Sequence, residues 1–307
     1  MFTRRKFLGT TVGAAAALAT GCATQSGGRR MIVDAQVHLW KASGPDFPWV
    51  SGAKPQLPEP FTIERVLPLM DEAGVDRVIV VPPSLNDLNT YALEAARRYP
   101  NRFGVMGRIP VEDPKAAALL PRWKDQPGML GVRLTFSTPE MIKLLSGGGA
   151  DWFWAGAEKA GLPVMAFSAG NTHLFDPVAK RHPGLPLIID HLGVNALVAK
   201  DPARMAKTID EVVALARYPN VGVKMSNLAN ATQEPYPFRD LTPHLKRVFE
   251  AYGPRRCYWG TDLTNTHFAN VTWRQRITHF TQELPFLSES DKDWILGRAI
   301  LERLKWA

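Results

Sequence analysis

The sequence has little cysteine, no membrane-length apolar run and no dinucleotide-binding fingerprint. Its two cysteines, Cys22 and Cys257, exclude a disulfide framework and a cysteine-rich metal site. The apolar run from Thr10 to Thr20 falls short of the ~20 residues needed to cross a bilayer. No G-x-G-x-x-G follows any candidate strand, which argues against an open doubly wound sheet built for a nucleotide. The formal net charge is +8, but residues 1–30 hold Arg4, Arg5, Lys6, Arg29 and Arg30 and no acid, so subtracting five leaves +3 for the rest. With no concentrated basic stripe interleaved with aromatics, a nucleic-acid partner is not expected.

What the amino terminus does contain is a charged head, T-R-R-K-F-L-G, followed by a short alanine-rich middle. It resembles a twin-arginine export signal. The expectation is therefore a leader and linker over residues 1–30, a periplasmic or exported location, and a folded domain over residues 31–307. Cys22 after Ala19-Thr20-Gly21 fits a lipid-attachment site, the one membrane contact expected, while cleavage after Ala19 or Ala23 fits an ordinary signal. The oligomeric state is left open.

From Met31 onward one unit recurs: a β-rich run with a polar end, a loop, then a helix-period segment. The runs are Ile32–His38, Arg77–Val81, Phe103–Arg108, Gly131–Phe136, Pro163–Phe167, Pro186–His191, Val221–Ser226 and Cys257–Thr261. Between them, Ile63, Val66, Leu67 and Met70 follow helical spacing up to Gly74, with Pro68 expected to kink the helix or mark its start. Asp151 and Asp201 are read as helix N-caps, Pro202 follows at the first helical position, and Thr242 to Tyr252 supplies a further helix. Eight strand–helix alternations predict parallel strands closed into a (β/α)8 TIM barrel, an α/β fold whose site lies at the carboxyl ends of the strands.

Those ends carry Asp34, Gln36 and His38, which period two would place on one face, then Arg108, Arg133, Ser168 with Asn171, Asp190 with His191, Lys224 with Ser226 and Asn227, and Asp262. In this order the chain resembles the amidohydrolase superfamily, in particular the amidohydrolase-related branch that includes lactonases of pyrone dicarboxylates, sulfomuconolactone and sugar acids. The resemblance runs from Met31 to about Trp306 through D-A-Q-V-H-L-W (34–40), M-D-E-A-G-V-D-R-V (70–78), G-V-R-L (131–134), A-E-K-A-G-L-P-V (157–164), I-D-H-L-G (189–193), V-K-M-S (223–226) and W-G-T-D (259–262).

Three departures bear on what the resemblance implies. The superfamily usually opens with His-x-His, and here the first position is Gln36. A metal-binding member normally has a histidine ending strand five, where this chain has Phe167-Ser168. After Asp262 the branch often continues Trp-Pro, but here the loop reads Leu263-Thr264-Asn265-Thr266-His267, which places Asn265 and His267 near the pocket. A Zn²⁺ ion would be left with His38, His191 and Asp262, joined by His173 if that residue folds back. The expectation is a hydrolase without a metal cofactor.

Opening a lactone needs a base for water and donors for the charge that develops on the carbonyl oxygen. Asp262 is the candidate base, and His38, His191 and the Gln36 amide are the candidate donors. Arg133, with Lys224 or Arg108, is suited to a substrate carboxylate, although a barrel arginine equally serves as a structural partner of Asp34 or Asp190. Asn171 sits at the same level, and Trp40 follows the first strand as a candidate pocket wall. A lactone is an activated ester, so a metal is not obligatory. The small-molecule function expected first is hydrolysis of a carboxylated lactone or related cyclic ester. Two others stay open: a metal-dependent amidohydrolase or decarboxylase using one Zn²⁺ or other divalent cation, and an exported barrel that binds a small acid without catalysis.

Overall fold

The computed structural model describes residues 29–86, 88–265 and 271–307. The leader motifs, Cys22 and His267 lie outside them. Eight parallel strands form one sheet in sequential order: β1 (Val33–Val37), β2 (Arg77–Val80), β3 (Phe103–Gly107), β4 (Met129–Thr135), β5 (Val164–Phe167), β6 (Leu187–Ile189), β7 (Val221–Ser226) and β8 (Cys257–Gly260). Every strand expected from the sequence is present, within about two residues at each end. The sheet returns on itself where Asp262 N donates to Gln36 O at 3.0 Å and Val37 bridges Leu263 in parallel. The result is the (β/α)8 barrel.

Local chemistry sets the helices. Thr62 caps Ile63–Ala73 by accepting from Arg65 N, Gly74 ends it at φ 78°, and Pro68 sits inside without terminating it. Asp201 caps Pro202–Leu215 through Ala203 N and Arg204 N. Asp151 does not cap its helix. The N-cap is Ala150, and the Asp151 carboxylate instead pairs with Arg181 at 2.6 Å. The β3-to-β4 crossover, Pro114–Asp125, is a 3-10 run, in keeping with Pro121 removing a backbone donor in its middle.

The seam between β1 and β8 corrects one sequence expectation. Asp34 to Val37 is a step of three residues, while their partners on β2, Val78 and Val80, are two apart, a bulge that breaks the period of two. Asp34 therefore does not share a face with Gln36 and His38. Its carboxylate accepts from Thr261 N (2.9 Å), Thr261 Oγ1 (2.6 Å), Gln36 N (3.1 Å) and Trp273 Nε1 (3.0 Å), standing in for ladder bonds the seam lacks. Burial pushes its pKa up to about 6, against those hydrogen bonds. Inside the barrel, Val33, Ala35, Met165, Ile188 and Tyr258 form one apolar cluster with Ile300 and Leu304 of the last helix. Above that cluster lie the polar side chains of the site.

Candidate active site

The floor of the site is built by β1, β6 and β8. His38 Nδ1 lies 2.8 Å from Val81 O. A carbonyl only accepts, so Nδ1 carries the proton and Nε2 faces Asp262 Oδ1 at 3.0 Å. His191 Nδ1 is 2.8 Å from Ser226 Oγ, which turns its Nε2 toward Asp262 Oδ2 at 3.7 Å. Gln36 Nε2 donates to Asp262 Oδ1 at 2.6 Å and lies 3.2 Å from His38 Nε2 and 3.5 Å from His191 Nε2. The Asp262 carboxylate is thus the meeting point of two imidazoles and one amide. Two of these residues hold left-handed backbone, His191 at φ 55° and Asp262 at φ 62°, as does their neighbour Asn227 at φ 59°. Such conformations cost free energy for non-glycine residues and cluster where geometry is imposed for function.

Over this floor opens a cavity of about 490 Å³, lined by His38, His191, Asp262, Arg108, Arg133 and Phe167, with neutral polar groups from Gln56, Asn195, Asn227, Asn230 and Asn265 around it. Asn265 Nδ2 reaches both Asp262 oxygens (3.2 and 3.1 Å) and His38 Nε2 (3.0 Å), while its Oδ1 accepts from Gln56. Arg133 donates through Nε to Asp190 Oδ2 at 3.1 Å and through Nη1 to Thr135. Arg108 Nε donates to Pro82 O at 2.7 Å. Phe167 stands edge-on to His191, ring centroids 5.2 Å apart, in the place where a strand-five histidine would have been.

Charge follows from burial. Burial acts to raise the Asp262 carboxyl, but His191, the His38 hydrogen bond and Arg133 outweigh it and hold the group well below the usual carboxylate range. Asp262 is therefore ionised. Burial dominates at His191, overcoming the pull of Asp262 and Asp190, and lowers its pKa to about 4. Burial also pushes the Lys224 ammonium down, opposed chiefly by Asp190.

The structure brings together Asp262, His38, His191 and Gln36, and sets Arg133 and Arg108 in the cavity wall. Four other sequence candidates lie elsewhere. Lys224 is fully buried beneath Gln36, with Nζ 2.9 Å from Asp190 Oδ1, and does not line the cavity. Asn171 turns its amide to Ala169 O at 3.0 Å. Trp40 is buried, donates to Thr264 Oγ1 at 3.2 Å and packs edge-on against Trp49. His173 is half exposed and pairs with Glu211 at 3.1 Å, so it does not fold back as a ligand. Gln56, Asn195 and Asn230 were not singled out by the sequence. The one signal for Gln56 was its place in the long segment after the first strand, which was expected to lie over one face of the barrel.

The donor set fits a divalent cation poorly. His38 Nε2, His191 Nε2 and Asp262 Oδ1 converge, but the point they surround holds the Gln36 NH₂, which has no lone pair to offer. Turning the amide over would press that NH₂ against Lys224 Nζ, which donates to Gln36 Oε1. Ser168, at the end of β5, donates away to Phe136 O at 3.0 Å. Among the described residues, no group of three or more His, Cys, Asp or Glu side chains is arranged to hold a metal.

Known proteins support this architecture. The chain is 28 % identical over 247 residues to an L-fucono-1,5-lactonase of Burkholderia ambifaria, covering 75 % of this chain and 79 % of the relative. A Burkholderia multivorans amidohydrolase solved with zinc bound superposes with a TM-score of 0.74 at 18 % identity, covering 90 % and 99 % of the two chains. A Pseudomonas putida structure named as a 2-pyrone-4,6-dicarboxylic acid hydrolase does so with a TM-score of 0.72 at 19 % identity, over 91 % and 98 %. At those identities the two structures speak for the fold. The amidohydrolase family profile matches residues 33–301, the whole barrel from its first strand into its last helix. The chain is a hydrolase-type enzyme and belongs to the amidohydrolase family.

Proposed function

We propose that this enzyme opens a lactone or related cyclic ester bearing a carboxylate, without a metal ion. The observation that carries the reading is the ionised Asp262, held by His38 and Gln36, on the floor of a cavity walled by two arginines. The lactonase relative from Burkholderia ambifaria supports the substrate class. Among the five charged groups Arg108, Arg133, Lys224, Asp190 and Asp262 the sum is +1, which leaves the pocket able to take an anion.

In the reaction, water bound beside Asp262 attacks the lactone carbonyl. Its oxygen forms the new C–O bond while its proton passes to an Asp262 carboxylate oxygen, and hydrogen-bond donors on His191 and the Asn265 amide face the developing oxyanion. The ring C–O bond then breaks, and the alkoxide takes the proton back from Asp262. The product is an open hydroxy acid. A carboxylate held so far below its ordinary pKa is a weak base, which suits an ester with a good leaving group and not an unactivated amide.

The test is a panel of carboxylated and polyhydroxylated lactones offered to the wild type and to Asp262→Asn. Hydrolysis by the wild type alone is expected. Ligand binding with no product from any lactone would favour the binding-protein alternative. Export rests on the Arg4-Arg5 leader. Replacing both with lysine should retain the protein in the cytoplasm, and unchanged fractionation would contradict that part of the reading.

A further inference from the structure

The β7 residue Lys224 sits directly below the catalytic floor without touching the cavity. Its side chain is fully buried, and an ammonium in that position needs partners for its three N–H groups. Asp190 Oδ1 lies 2.9 Å away, but Asp190 Oδ2 is shared with Arg133, and Met165 Sδ at 3.4 Å is a weak acceptor. Among the described residues the remaining strong acceptor is Gln36 Oε1, to which Lys224 donates. A carboxamide has two ends of opposite sense, and an ammonium at one end permits only one orientation. The oxygen must face Lys224, so the NH₂ must face Asp262.

We propose that Lys224 is a positioning residue: it locks the Gln36 amide so that a fixed N–H donor, backed by a buried positive charge, occupies the point where His38, His191 and Asp262 would otherwise close on a divalent cation. Arg133, Asp190, Lys224, Gln36 and Asp262 then form one continuous chain of polar contacts from the cavity wall to its floor. Two consequences follow from the lock. Without the ammonium the amide is able to turn and offer Oε1 to the centre, giving two imidazole nitrogens and two oxygens, a donor set that zinc accepts. Replacing the amide by an isosteric carboxylate removes the N–H donor while leaving Lys224 its acceptor.

The inference rests on the proposed reaction only in giving the Gln36 donor a task; its test does not use turnover. Full-length wild type, Lys224→Met and Gln36→Glu are freed of metal and titrated with zinc against a chromophoric chelator, with circular dichroism as the check on folding. The wild type should take up no stoichiometric zinc. Both variants should gain one site per chain and about a hundredfold in affinity, comparable in size to the effects of altering groups that orient metal ligands. A wild type that binds one zinc tightly overturns the proposal. So does a folded Lys224→Met that stays as metal-poor as the wild type, since the amide would then hold its orientation without the lysine. If Lys224→Met does not fold, Gln36→Glu decides: a gain supports the occupied-centre reading, and no gain contradicts it. Because these readouts are independent of any substrate, a failed lactone screen would leave the result standing.

Discussion

Lowering the pH from 7 to 5 should leave the His191 imidazole neutral. Burial outweighs the pull of Asp262 and Asp190 and sets its pKa at about 4, from an ordinary 6.5. At pH 5 such a ring is roughly 10 % protonated, whereas an unperturbed one would be roughly 97 % protonated. The same gap is a stability effect of about 3 kcal/mol. For a group whose folded pKa is depressed, the unfolded chain binds the proton first as pH falls. The contribution is therefore present in full above about 6.5 and is lost progressively toward 4. Asn tolerates the left-handed backbone at this position (φ 55°), which makes His191→Asn the clean perturbation. It should flatten the dependence of unfolding free energy on pH by about 1.1 kcal/mol per pH unit between pH 4.5 and 6. Urea titrations at three pH values measure the slope, and histidine-selective NMR, assigned with the variant, measures the midpoint. A His191 midpoint near 6.5, or an unchanged slope in the variant, would refute the argument.

Four further outcomes are expected. Asp262→Asn should lower kcat on any lactone the enzyme opens by roughly 10²- to 10⁴-fold, with a native circular dichroism spectrum, and retention of most activity would remove Asp262 as the base. Arg133→Met should raise KM for a carboxylated lactone by roughly 10- to 100-fold while leaving an uncharged lactone less affected, as expected for a charge-assisted contact of about 1.5–3 kcal/mol. His279, among Tyr236, Phe238 and Phe280, has a buried Nε2 with no hydrogen-bond partner among the described residues and, through burial, a pKa of about 4. His279→Phe should therefore stabilise the fold by about 1–2 kcal/mol at pH 5 in urea unfolding. Gly193 (φ 66°) follows the His191 turn, and a Cβ there would strike Thr172 Oγ1. Gly193→Ala should destabilise by about 2 kcal/mol or more, seen as a lower melting temperature.

Much of the fold was legible because its signals are local. Apolar runs ending in polar residues, helix caps such as Asp201 and closing glycines such as Gly74 sit within a few residues of what they specify. The site's centre was legible for the same reason, since a barrel places strand ends together, and His38, His191 and Asp262 each end a strand. What the sequence hid depends on contacts far apart in the chain. The bulge at Asp34 answers the seam with β8, 227 residues away, through Thr261. Lys224 ends up beneath the floor because Gln36 and Asp190, from two other strands, supply its acceptors. Asp151 has the composition of an N-cap, but Arg181 offers its carboxylate a stronger partner. Gln56 reaches the pocket only through a loop folded over from β1, and no local pattern records that path.

Ester hydrolysis driven from Asp262, with an amide in place of a cation, can be checked by measuring metal content and lactone turnover on one preparation before and after chelation. Unchanged kcat is expected in protein carrying only trace zinc or manganese. Activity that disappears with about one bound metal per chain, and returns when that metal is restored, would contradict that expectation.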